Sequence, residues 1–219
     1  MKKGFICLLC FLFLCGCSHN KENVQDNNDK QEKFVLEKIN NNYDYVYLDT
    51  YYNLKLNGNY YNLDNLIINV NSEDVLNVNL ELKSFVTKSY QNMVIDNNEI
   101  IEGTIIDYKY YVTDKYISIL QLFYPYINGE KGEESVNIYV VSLDNGKVLN
   151  NEDILKCFEL SEDGLMNKIE TNINSEDIMY TMMNIKEEGY DLYINNDNKL
   201  VVSYYEVTDI NSIRKDLVL

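Results

Sequence analysis

The sequence predicts an α+β protein in which antiparallel sheet is packed against a few helices. Two patterns carry that expectation: short runs of alternating apolar and polar residues bounded by turn formers, and a few apolar-periodic segments, three of them introduced by Ser-Glu-Asp. No repeat array and no internal Pro-, Gly- or Ser-rich linker interrupts them. One unit over residues 34–219 is therefore expected, with two intimately packed halves (about 34–100 and 101–219) as the variant reading.

Taken in order, Tyr43, Tyr45 and Tyr47 fall on one face of a strand, because side chains alternate with period two, and are expected to pack there with hydroxyls at the rim. Asn57-Gly58 separates Tyr52–Leu56 from Tyr60–Leu63, a hairpin signal because both turn residues tolerate positive φ. Leu66–Val70 reads as a short strand of its own. Ser72-Glu73-Asp74 then introduces a helix: serine accepts first-turn N–H bonds, and two carboxylates favour the positive end of the dipole. Its stripe is Val75, Val78, Leu82, Phe85 and Val86.

Residues 104–112, 116–124 and 135–143 read as strands, joined by Thr113-Asp114-Lys115 and by 128–132, and Asn145-Gly146 turns the chain after the third. A short helix is expected over Glu152–Phe158. Ser161-Glu162-Asp163 introduces a helix with Leu165, Ile169 and Ile173 at intervals of four, and Ser175-Glu176-Asp177 introduces another. Residues 190–194 and 199–207 flank Asn195-Asn196-Asp197-Asn198 as a hairpin, and Lys215–Leu219 closes the sheet.

The first seventeen residues have a separate logic. Lys2 and Lys3 precede Phe5–Cys15, an uncharged run of eleven residues, roughly 16 Å as helix against a hydrocarbon core of about 30 Å. That length suits the hydrophobic region of a signal peptide rather than a membrane span. The run ends in Leu14-Cys15-Gly16-Cys17, which resembles the lipobox of bacterial lipoproteins. The resemblance implies a signal peptide over 1–16, lipid attachment at Cys17, and a location on the cell membrane facing outside the cytoplasm. Residues 18–33 hold a single apolar side chain, Val24, and are expected to form a flexible tether.

Composition narrows the partners. The chain has 19 basic and 35 acidic residues, for a net charge of −16, and loss of Lys2 and Lys3 with the leader makes it −18. Such a field disfavours nucleic acid and anionic lipid headgroups and favours basic proteins or cations; solubility alone is the plainer reason for it. Four of five cysteines lie at or before position 17, so Cys157 has no partner for an intrachain disulfide in the mature chain. Within Ile154-Leu155-Lys156-Cys157-Phe158 it reads as a small apolar core residue.

Catalytic chemistry is poorly supplied. The only histidine, His19, lies in the tether, which removes histidine general-base catalysis and His-ligated zinc. Nucleophile-elbow, P-loop and dinucleotide fingerprints do not occur. Asp96-Asn97-Asn98-Glu99 and Asn195–Asn198 offer hard oxygen ligands but lack EF-hand spacing and read as turns. No cofactor, no metal and no enzymatic activity are expected. A glycosidase would need two carboxylates across a cleft from separate elements, one with a raised pKa, a test that composition alone does not decide. Tyr124 and Tyr126 flank Pro125, the only proline, beside a loop with Glu130, Glu133 and Glu134. This aromatic and acidic edge is the expected contact surface.

The order of features resembles a known family. Asn65-Leu-Ile-Ile-Asn-Val70 leads into a helix containing Asn79-Leu-Glu-Leu-Lys83. Then follow Tyr111-Val-Thr-Asp-Lys-Tyr-Ile-Ser-Ile119, Tyr139-Val-Val-Ser-Leu-Asp-Asn-Gly-Lys-Val-Leu149 with Glu152-Asp-Ile-Leu155, and Tyr193-Ile-Asn-Asn-Asp-Asn-Lys-Leu-Val-Val-Ser203. Together these resemble the extracytoplasmic domain-of-unknown-function families 4163 and 3298, over most of residues 44–219. Those families include the outer part of lysozyme-sensing anti-sigma factors and a module preceding cell-wall polysaccharide deacetylases. The resemblance implies an α+β binding or sensing domain near the cell wall. Where the family often has a Gly-Gly-Ala-His-like stretch, this chain has Asn128-Gly-Glu-Lys-Gly-Glu-Glu134, and no apolar stretch in it reads as a membrane span. The functional expectation is a lipid-anchored, non-catalytic binding module for a cell-wall component or a basic protein such as lysozyme. A carboxylate-based wall glycan hydrolase and an accessory envelope-assembly lipoprotein are the alternatives.

Overall fold

The computed structural model describes residues 45–56, 59–96, 99–128, 130–173, 178–207 and 212–219. The leader, Cys17, the tether, Tyr43, the Asn57-Gly58 turn, Asn97-Asn98 and Ser175-Glu176-Asp177 lie outside the described residues.

The chain begins with two long strands, β1 (Val46–Leu56) and β2 (Asn59–Ile68), paired antiparallel from Val46↔Ile68 to Leu56↔Asn59. The sequence suggested a break within β2, because Asp64-Asn65 sits between two apolar runs. Backbone pairing carries the strand through, and it leaves Asp64 Oδ1 and Asn65 Oδ1 buried without a hydrogen-bond partner among the described residues. Val46 takes the inward position, so Tyr47 is exposed rather than packed on a sheet face, while Tyr45 is half-buried.

Helix α1 (Glu73–Gln91) starts as its cap predicts: Ser72 is extended, and Val75 N donates to Ser72 Oγ at 3.1 Å. Val75, Val78, Leu82 and Val86 are buried; Phe85 is half-buried, its ring 4.9 Å from that of Phe123. The same serine Oγ donates to Gly146 O at 2.6 Å, and Val148 N donates to Asp74 Oδ2 at 3.2 Å, so the start of α1 is tied to the 145–148 turn. Gly146 has φ +69°, and a Cβ there would lie 2.7 Å from Ser72 Cβ. Gly146→Ala is expected to cost about 2 kcal/mol through backbone strain and this clash. A urea titration tests it, and a midpoint equal to that of the parent would count against the tight turn.

The central sheet follows. Strands β3 (Val94–Asp96), β4 (Glu99–Val112), β5 (Tyr116–Ile127), β6 (Glu130–Lys131), β7 (Ser135–Ser142) and β8 (Val148–Leu149) pair antiparallel in the order β3-β4-β5-β7-β8, with β6 added to the end of β5. Thr113 shapes the β4–β5 turn by accepting from Lys115 N and Tyr116 N. Three helices come next: α2 (Asn151–Cys157), α3 (Glu162–Asn172) and α4 (Ile178–Glu188). A second antiparallel sheet closes the chain, with β9 (Tyr190–Ile194), β10 (Leu200–Val207) and β11 (Ser212–Val218) in the order β11-β10-β9.

Strand β5 belongs to two cores at once. Ile117 and Ile119 join Val46, Leu66, Ile68, Val75, Val78 and Leu82 on one face of the sheet. Leu120 and Leu122 join the second core, which Ile154, Leu165, Ile169, Ile185 and the β9–β10 residues complete. Both faces being covered explains why Ile117–Leu122 is buried without interruption in an antiparallel strand. Its two polar members are satisfied: Ser118 Oγ accepts from Ile194 N at 3.0 Å, and Gln121 bridges Tyr108 and Asn137 across the sheet.

Cys157 departs from expectation, since it is exposed at the end of α2. Ile154 and Leu155 occupy the inward face, and two further residues along a helix carry Cys157 about 200° round from Leu155. Its thiol meets Tyr116, and this contact, with burial, pushes the Tyr116 phenol up to about 12.

Candidate functional site

The loop after β5 gathers some of the residues singled out in the sequence and separates others. Tyr124, near the end of β5, donates its hydroxyl to Glu134 Oε2, and Lys131 Nζ stands 3.3 Å from the centre of the Tyr124 ring. Gly132 N donates to Pro125 O at 2.7 Å, which folds the loop back on the exposed proline. Tyr126 lies opposite Lys131 and Glu130 opposite Ile127 in the β5–β6 pairing. Glu130 and Glu133 are exposed, and Tyr126 is half-buried.

Glu134 is turned inward by a residue that the sequence reading did not single out. Arg214 Nε donates to Glu134 Oε1 at 2.7 Å, and Arg214 Nη1 donates to both Asp216 oxygens at 2.7 and 2.9 Å and to Ser203 Oγ at 3.2 Å. The guanidinium is buried, with only 7% of the side chain exposed. It clamps β11 to the start of β7 across eighty positions of chain. Burial alone would raise the Glu134 carboxyl, but the bonds from Tyr124 and Arg214 hold it below its ordinary value. Burial, then the Glu134 bond, pushes the Tyr124 phenol up to about 12. The expected acidic edge thus consists of Glu130 and Glu133, while Tyr124 and Glu134 serve an internal clamp. A signal existed: Arg214 is the only arginine in a chain that otherwise uses lysine, and a fork shared between two carboxylates is what lysine does not provide.

A second feature lies on the neighbouring part of β7. A groove of about 450 Å³ opens between Ile138 and Val140 of β7, Leu149 of β8, the first turn of α2, and Asp191 and Leu192 of β9. The chain enters α2 directly from β8, with Asn150 Oδ1 accepting from Asp153 N at 2.8 Å. Asn151 then staples α2 to β9, donating to Tyr190 O at 2.9 Å and accepting from Leu192 N at 3.1 Å. These bonds hold the two walls apart at a set spacing.

The groove combines an apolar floor with two carboxylates from separate elements, Glu152 and Asp191. Glu152 accepts from Lys156 Nζ at 2.7 Å on the exposed side of α2. Asp191 is exposed; among the described residues no hydrogen bond or ion pair reaches its carboxylate, and partial burial by neighbouring atoms raises it above the ordinary value. An apolar floor with an uncompensated carboxylate suits an amphipathic cation. Among the described residues no three His, Cys, Asp or Glu side chains are arranged to hold a metal ion.

Comparison with protein-family models found no match, and comparison with curated proteins found none either.

Proposed function

We propose that this chain is a lipid-anchored extracytoplasmic binding module, tethered through Cys17, that contacts a cell-wall component or a basic protein such as lysozyme without transforming it. The observation that carries the reading is the groove between β7, α2 and β9, with two carboxylates on an apolar floor in a chain of net charge −16. Opposite net charge steers a basic partner toward the surface, and the groove adds a place for close contact. The lipobox-like end of the leader supports the anchor.

Titration of the full chain in detergent micelles with lysozyme by calorimetry tests the partner. Saturable binding that persists at physiological salt is the expected result; binding confined to low salt reflects net charge alone and rejects it. The anchor has its own test. Cys17→Ser is expected to abolish incorporation of labelled palmitate and to move the chain from the membrane pellet to the soluble fraction, and undiminished labelling would remove the lipobox reading.

A wall glycan hydrolase is the alternative, favoured by one observation: Glu152 and Asp191 reach a common groove from different elements, and one of them is raised. Release of reducing sugar from purified peptidoglycan, lost in Asp191→Asn, would establish it in place of the binding module.

A further inference from the structure

We infer that the groove between β7, α2 and β9 receives a lysine side chain of a basic partner, with its ammonium against Asp191 and its methylenes on Ile138 and Leu149. This assignment rests on the binding-module reading and specifies what that module grips.

The argument begins with size. A space of about 450 Å³ lies within the range of about 300–1,000 Å³ found for small-ligand clefts, room enough for one extended side chain and its neighbouring backbone. Shape comes next. Asn151 uses both ends of its amide on the backbone of β9, so it sets the width of the groove and leaves recognition to other groups. The half-buried Ile138 and Leu149 give the groove an aliphatic wall, and a lysine stem lays its methylenes on such a surface while keeping its head charged.

Charge selects the head group. Glu152 already holds Lys156, whereas the Asp191 carboxylate, exposed at the groove, has no partner among the described residues. An ammonium brought to a carboxylate that lacks a counter-charge, beside protein atoms that thin the water around it, is attracted more strongly than at an open surface. A neutral polyol offers no such attraction, and an anion meets two carboxylates and the net charge of the chain. The preferred occupant therefore has an aliphatic stem and a positive end, and a protein rich in surface lysine presents it.

The probe is N-acetyl-lysine amide, compared with the same molecule acetylated on its side-chain nitrogen, which keeps the stem and removes the charge. Isoleucine and leucine methyl spectra of the full chain in detergent micelles report occupancy. The lysine probe is expected to shift the methyls of Ile138, Leu149 and Leu192 saturably in the millimolar range, and the neutral probe to bind at least tenfold more weakly. Asp191→Asn is expected to weaken the lysine probe at least tenfold, and Glu152→Gln less than threefold. Equal binding of the two probes overturns the assignment without recourse to any variant. So does undiminished binding by Asp191→Asn with an otherwise unchanged methyl spectrum.

Lysozyme separates this failure from failure of the broader reading. Lysozyme binding that Asp191→Asn leaves intact keeps the binding module and rejects the groove as its grip. Lysine-probe binding without lysozyme binding keeps the groove and rejects lysozyme as the partner.

Discussion

Replacing Arg214 with methionine is expected to lower the stability of the folded chain by about 3 kcal/mol. Only 7% of the Arg214 side chain is exposed and its guanidinium answers two carboxylates, so its removal leaves Glu134 and Asp216 without their shared counter-charge. Loss of one partner of a buried pair costs about 3–5 kcal/mol, and the low end applies because Glu134 and Asp216 keep 24% and 30% of their side-chain surface in water. Thermal unfolding should move down by about 6–12 °C for a domain of this size. Arg214→Lys should recover only part of the loss, because one ammonium does not reproduce the fork. A melting temperature within 2 °C of the parent, about 1 kcal/mol or less, would show that the clamp is incidental.

The same clamp sets a pH window. Glu134 is lowered in the folded chain, so its contribution is present above its unfolded value of about 4.3 and is lost as pH falls through the lower folded value. Tyr124 is raised to about 12, so its contribution is present below its unfolded value of about 10 and is lost as pH rises toward 12. In Arg214→Met the acid loss attributable to Glu134 should shrink, which urea midpoints measured between pH 3 and pH 7 would reveal.

Leu120→Ala should have a comparable or larger effect, about 3–5 kcal/mol. Leu120 is fully buried in the core formed by β5, β7, α2, α3, α4 and the second sheet, where neighbours on several elements leave little room for collapse into the vacated space. The urea midpoint is expected to fall with the slope unchanged, the pattern of lost stability without a change in surface exposed on unfolding. A loss under 1 kcal/mol would mean that this face of β5 is loosely covered.

Local chemistry was the readable part of this sequence. Ser72 and Ser161 each cap a helix through an N–H three residues on, as the two Ser-Glu-Asp triplets within the described residues imply. Asn195 Oδ1 accepts from Asp197 N and Lys199 N, and Asn198 sits at φ +57°, so the turn between β9 and β10 follows from residue type. What depends on distant pairing was not readable. Asp64-Asn65 reads as a gap because polar pairs mark turns, yet strand pairing overrides it. Cys157 was placed inside by its neighbours' hydrophobicity, whereas helical rotation places it outside. Glu134 and Arg214 are eighty residues apart, and no local pattern joins them. The groove is built from β7, α2 and β9, so Glu152 and Asp191 share a site only once the chain has folded.

The double membership of β5 bears on how this chain could have arisen and how it can be divided. A boundary near residue 100 leaves the β1–β2 hairpin, α1 and the short β3 on one side and the rest of the chain on the other. The hairpin and α1 would then lose Ile117, Ile119 and Val141, the part of their core that the later chain provides. Neither product would be an independent module that could be shuffled between proteins. The two cores are inherited together, gained or lost as one, because the paired strands β5 and β7 are the common wall of both.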